Sequence, residues 1–173
     1  MSEFVAVRFK VSLFAEDRSQ ILCGGYFSEV NGLELTMEVK TFAEGGRNWG
    51  ELQRSGPTKF APIVLKRGVT TINDLWSWFD ATTRGANYGY RLQGEIEVFG
   101  NPSVASFDRG GGVDKVEPRP MLTWTLHNVV PTRFKGPDLS ATANQVAIEE
   151  LTLVHEGLVL ERPAGAEGGG AGT

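Results

Sequence analysis

Cysteine is nearly missing: Cys23 is the single one among 173 residues. No disulfide can therefore form within the chain, and a zinc site built from several thiolates is excluded. Beside the glycine pair at 24 and 25, Cys23 reads as a small buried side chain. Histidine is almost as scarce, with two residues, His127 and His155, far apart in sequence. No His-Glu-x-x-His pair or Asp-x-Asp loop accompanies them, so no metal-ligand set can be assembled and no cofactor is expected. The phosphate-cradling Gly-x-x-x-x-Gly-Lys-Ser/Thr loop and the nucleophile elbow Gly-x-Ser-x-Gly are also lacking. No apolar run approaches the ~20 residues that cross a bilayer. No basic start followed by an apolar core opens the sequence, so it predicts no signal peptide, synthesis in the cytoplasm and no membrane partner. Basic excess is absent as well. A net charge of −4 argues against an electrostatic nucleic-acid binder, which needs a clustered positive surface. It remains compatible with a conduit whose wall should not attract phosphates.

What is present is strand pattern. Hydrophobic residues at 40% and charged residues at 22% are ordinary for a globular chain, and this length fits one domain. From residue 4 to 14, Val5, Val7, Phe9, Val11 and Leu13 alternate with Ala6, Arg8, Lys10 and Ser12, a half-buried strand. A short strand is expected over 24–30. Asn31-Gly32 then supplies a tight hairpin turn, and Leu33, Leu35, Met37 and Val39 alternate with Glu34, Thr36, Glu38 and Lys40 on the returning strand. The pattern stops over 44–57, where glycines and Pro57 leave a long irregular loop of the kind that is often functional. Trp49 and Leu52 in that loop are apolar residues without an obvious core to join.

Residues 60–65 read as a strand interrupted at Pro62. A helix follows, capped by Thr71 with Asp74 three positions on. Ile72, Leu75, Trp76 and Phe79 form its apolar stripe, and Gly85 is its stop. Residues 90–99 alternate again, with Leu92, Ile96 and Val98 against Arg91, Gln93, Glu95 and Glu97. The stretch 100–120 is irregular and rich in Gly and Pro, 121–130 returns to strand, and 144–160 is a long last strand with a bulge near Glu149-Glu150. Seven strands with a helix between the fourth and fifth predict a mainly β fold. The expected form is an antiparallel β-barrel or two-sheet sandwich with one flanking α-helix, spanning 1–162, before a disordered Gly/Ala tail at 163–173. The paired acids Glu95/Glu97 and Glu149/Glu150 read as solvated strand faces and not as catalytic pairs, and neither histidine has the neighbours that catalysis needs. The sequence supports no enzyme and identifies no catalytic residue.

Read together, several stretches resemble the phage tail-tube protein family. That family comprises inner-tube proteins of contractile tails and extracellular contractile injection systems, related to the type VI secretion tube protein. The resemblance lies in 25–34 (GYFSEVNGLE), Glu44-Gly45-Gly46, 63–70 (IVLKRGVT), Leu75-Trp76-Ser77-Trp78, 136–141 (GPDLSA), 144–151 (NQVAIEEL) and His155-Glu156-Gly157-Leu158. The order is the family's own, and two stretches depart from it: 53–57 matches only loosely, and 100–120 is longer. The resemblance implies a structural subunit that forms hexameric rings, stacked within a contractile sheath around a lumen for an effector or DNA cargo. The implied partners are the subunit itself, the sheath protein, and baseplate, spike and tail-terminator proteins, so the chain ends as part of a phage-tail-like particle. For ring stacking the expected loop residues are Glu44, Arg47, Trp49 and Leu52. For the lumen they are the polar faces Glu34, Thr36, Glu38, Lys40 and Arg91, Gln93, Glu95, Glu97. The rival readings are a tube-initiating ring at the baseplate, a small-ligand-binding barrel and an enzyme.

Overall fold

A computed structural model describes residues 8–16, 21–46, 48–84, 91–100, 120–138 and 147–162. Among them, ten strands and one helix follow in the order β1 Arg8–Phe14, β2 Ile21–Phe27, β3 Glu29–Asn31, β4 Leu35–Phe42, β5 Leu52–Phe60, β6 Ile63–Gly68, α1 Asp74–Thr83, β7 Leu92–Phe99, β8 Leu122–Lys135, β9 Ile148–Val154 and β10 Gly157–Glu161. Every pairing is antiparallel.

Two sheets form the body. The first runs β2-β1-β7-β8-β10 and the second β8-β9-β6-β3. Strand β8 serves both: Leu122 to Val129 pair with β7, and Val130 to Lys135 pair with β9. Just before the switch stands Asn128, which carries the one positive φ outside glycine (52°) among the described residues. Asparagine tolerates that left-handed backbone better than a branched residue would. At the other end of the ladder β2 and β3 are consecutive, separated by Ser28, whose N–H donates to the Lys66 carbonyl at 2.8 Å. The ladder thus bends round without closing into a barrel.

The period-2 alternation explains the core. Val11 and Leu13 of β1 turn inward to meet Leu92 and Ile96 of β7, Leu126 and Val129 of β8, Ile63 and Leu65 of β6, and Leu151 and Leu153 of β9, all at 0–1% exposure. Burying each such side chain contributes roughly 1.5–3 kcal/mol. Gly24 is required in β2 because a Cβ there would lie 2.4 Å from the Val11 carbonyl oxygen.

Several expectations need correction. The Asn31-Gly32 hairpin is not formed: β3 pairs with β6, and β4 pairs with β5. Gly32 (φ +93°) instead threads past Pro62, whose carbonyl oxygen would lie 2.0 Å from an added Cβ. Much of the irregular 44–57 loop is strand β5. Gly56 and Pro57 hid it because they occupy a bulge where the register jumps from Met37↔Thr58 to Val39↔Ser55. The last strand is two, broken at His155-Glu156, and Glu149 and Glu150 pair with Arg67 and Lys66 without a bulge.

The helix starts at Asp74 and not at Thr71. Its N-cap Asn73 makes no side-chain cap bond, while the Thr70 hydroxyl accepts from Ile72 N–H at 3.2 Å. Its buried residues are Leu75, Trp78 and Thr82. Of the expected stripe, Leu75 is buried, Ile72 lies outside the helix and is exposed, and Trp76 is exposed on one side. Trp76 and Phe79 pack on Phe134 of β8, with centroids at 5.4 and 6.4 Å. Gly85, Arg47, residues 101–119 and the tail 163–173 lie outside the described residues.

Candidate assembly surface

The hairpin β4–β5 is a two-stranded sheet of its own, off the main ladder. All eight β4 residues are exposed. Alternation gives it two unlike faces. On one, Leu35, Met37 and Val39 form an apolar row at 49%, 54% and 57% exposure, backed across the ladder by Phe60, Thr58 and Ser55. On the other, Thr36, Glu38, Lys40 and Phe42 stand beside Lys59, Arg54 and Leu52. Lys59 pairs with Glu38, and the Arg54 guanidinium lies 5.2 Å from the Phe42 ring centroid.

The connecting loop holds the exposed Glu44 and Trp49, the latter 88% exposed. Gly46 and Gly50 turn it at φ +89° and +75°. Leu52 belongs to β5, half-buried opposite Phe42. At the hairpin root the Ala61 N–H donates to the Glu34 carbonyl at 3.2 Å. Behind that root His155 is buried with its ring 5.1 Å from Phe60. Its Nδ1 stands 3.0 Å from the Gly157 carbonyl, and burial holds its pKa below the usual histidine value.

The second expected polar face lies on the main sheet. Lys10, Glu97 and Thr123 stand in one cross-strand row, Ser12, Glu95 and Thr125 in the next, and Gln93 leads toward His127. Lys10 and Glu97 pair at 3.8 Å, and the Gln93 Oε1 is 3.1 Å from the His127 Nδ1. Arg91 precedes β7 and pairs with Glu156, which also accepts from the Asn128 amide at 2.8 Å. The Asn128 and Arg91 hydrogen bonds hold the Glu156 carboxyl below its ordinary range. Glu34, Thr36, Glu38 and Lys40 thus sit on or beside the hairpin and Gln93, Glu95 and Glu97 on the main sheet; no ladder joins the two sets.

Sequence reasoning missed the buried ion network that orients the helix. Arg67 points inward from β6 with its side chain 5% exposed, bound to Asp74 of α1 and Glu149 of β9. It also donates to the Gly24 and Ile72 carbonyls at 3.4 Å, and Gly24 N–H donates to Asp74 at 3.0 Å. Burial alone would raise the Asp74 carboxyl. The Arg67 and Gly24 hydrogen bonds outweigh it and hold the carboxyl below the usual range. Burial first, and the Asp74 charge second, push the neighbouring Cys23 thiol up to about 12, so it stays protonated. The available signal was Arg67 standing at an inward position of an alternating strand.

Among the described residues no group of three His, Cys, Asp or Glu could hold a metal, and no helix is long and apolar enough to cross a membrane. Among the described residues, β10 pairs with β8 only, and β2 with β1 only. Val159 and Leu160 of β10 are exposed.

The profile of the T4-like virus tail tube protein gp19 family matches residues 5–159. No curated protein matches the sequence. Among solved structures, a chain of the 6-fold symmetrised cryo-EM structure of the anti-feeding prophage baseplate is similar at TM-score 0.70 and 25% identity, with 94% of this chain and 97% of that one covered. A chain of the PVC sheath–tube complex, an extracellular contractile injection system in its extended state, is similar at TM-score 0.64 and 22% identity, covering 90% and 88%. The crystal structure of an Hcp protein shares the fold at TM-score 0.58 and 13% identity, covering 92% and 94%.

Proposed function

This chain belongs to the T4-like virus tail tube protein family, and on that premise we propose that it is the repeating subunit of a contractile tube, six copies closing into a ring and rings stacking around a lumen. The observation that carries this reading is the β4–β5 hairpin, whose apolar row Leu35, Met37 and Val39 is exposed, with no cover among the described residues. A short two-stranded sheet with both faces in water is marginal alone, so a neighbouring copy is the natural cover. The edges of β2 and β10 offer backbone groups for strand pairing between copies. Head-to-tail contacts with a closing rotation give rings, and repetition along the axis gives a filament.

In this arrangement the hairpin tip, the loop with Glu44, Arg47 and Trp49 together with Leu52 at the start of β5, reaches the adjacent ring. The outward polar faces, Thr36 to Lys40 on the hairpin or Gln93 to Glu97 on β7, line the lumen. The chain acts as structure and not as an enzyme. Sheath, baseplate and terminator proteins are its partners, and an effector or DNA is the cargo.

A second reading is favoured by the similarity to a baseplate chain: the subunit would form the single ring that begins the tube. Negative-stain microscopy of the purified protein separates the two. Long hollow tubes support the repeating subunit, and rings that never elongate support the initiating ring. A monomer at high concentration, without rings, rejects both.

A further inference from the structure

Lys40 of β4 and Arg54 of β5 are direct cross-strand partners. Like charges placed opposite one another destabilise a hairpin, and no acid of the described residues pairs with either, whereas Lys59 beside them has Glu38. The waist of the hairpin therefore carries a formal +2. The connecting loop carries the opposite sign: Glu44 and Glu51 against Arg47, a formal −1, with both acids exposed and without an ion pair among the described residues. Glu44 lies four positions beyond Lys40 and Arg54 three beyond Glu51, about 10–13 Å of extended chain. Within one hairpin the two charge centres are held apart. Two hairpins slipped past each other by that distance bring them together.

We propose that the Lys40–Arg54 waist of one subunit is an interaction surface for the acidic hairpin loop, Glu44 and Glu51, of a second copy of this chain. The inference rests on the tube reading above and deepens it. The contact is head-to-tail, each subunit giving its waist to one neighbour and its loop to another, so it propagates round a ring or along a stack. It supplies register, and the apolar row on the opposite face supplies burial.

The test uses the full chain with two variants, Lys40→Glu/Arg54→Glu and Glu44→Lys/Glu51→Lys. Each keeps like charges facing one another at the waist, and because Arg54→Glu also takes the guanidinium off the Phe42 ring, circular dichroism and the unfolding midpoint check that both variants still fold. Each variant alone should lower the sedimenting, tube-containing fraction at least tenfold. An equal mixture should restore it, because an acidic waist then meets a basic loop and a basic waist an acidic loop. Wild-type assembly should also weaken between about 0.05 and 0.5 M salt, where screening shortens to a few ångströms. Variants that assemble like wild type, a mixture no better than its parts, or assembly indifferent to salt would overturn the pairing. Wild-type protein that forms neither rings nor tubes would instead overturn the tube reading itself.

Discussion

At position 67 a cation occupies a place that the pleat reserves for a core residue. Ile63 and Leu65 point inward from β6, and Arg67 does so next, with Asp74 and Glu149 closing round it. A buried pair is weak evidence of net stability, but losing one member strands the others without water. Arg67→Met should therefore cost about 3–5 kcal/mol in urea denaturation, although methionine fills similar space. The pH dependence follows from the depressed Asp74 carboxyl. A group held below its unfolded value stabilises the fold above that value, and the stabilisation is lost as pH falls through the folded one. With an ordinary value of 3.8, wild-type stability should fall increasingly steeply below about pH 4, and in Arg67→Met that fall should be shallower.

Helix α1 shows how rotation is set from outside an element. Ile72, Leu75, Trp76 and Phe79 satisfy the apolar period, and so do Leu75, Trp78 and Thr82; the bond from Arg67 to Asp74 selects the second set. Leu75→Ala should cost about 2–5 kcal/mol by urea denaturation, and Ile72→Ala, at 64% exposure, less than about 0.5. The same comparison marks what the sequence made legible. Alternation along Leu35, Met37 and Val39 is local, so strand β4 could be read, as could the strands around Val11, Ile96 and Leu126. Pairing is not local. Nothing in Asn31-Gly32 tells a hairpin turn from a glycine squeezed past Pro62, and nothing in Gly56-Pro57 tells a loop from a bulge. The exposed tip was legible through Trp49 and one of its strands through β4, but the partner strand β5 was not.

For the whole molecule, the hairpin separates folding from assembly. Its apolar row is exposed among the described residues, so Met37→Ser/Val39→Ser should leave the unfolding free energy within the ±0.5 kcal/mol of an ordinary surface change. In the proposed tube the same change removes the buried row between copies, and sedimentation should show the tube fraction reduced at least tenfold. A monomer destabilised by several kcal/mol would show that the row packs on its own subunit. Family, fold and hairpin then converge on a component whose core is complete and whose surface is not.

Strand β8 runs through both sheets and turns at Asn128, and this has a mechanical consequence. Two layers held only by side-chain packing can slide like cards. Here one covalent thread is stitched through both, so a shove delivered to either layer is passed to the other along peptide bonds. A hollow rod assembled from such units would transmit thrust down its length without shearing inside its own bricks.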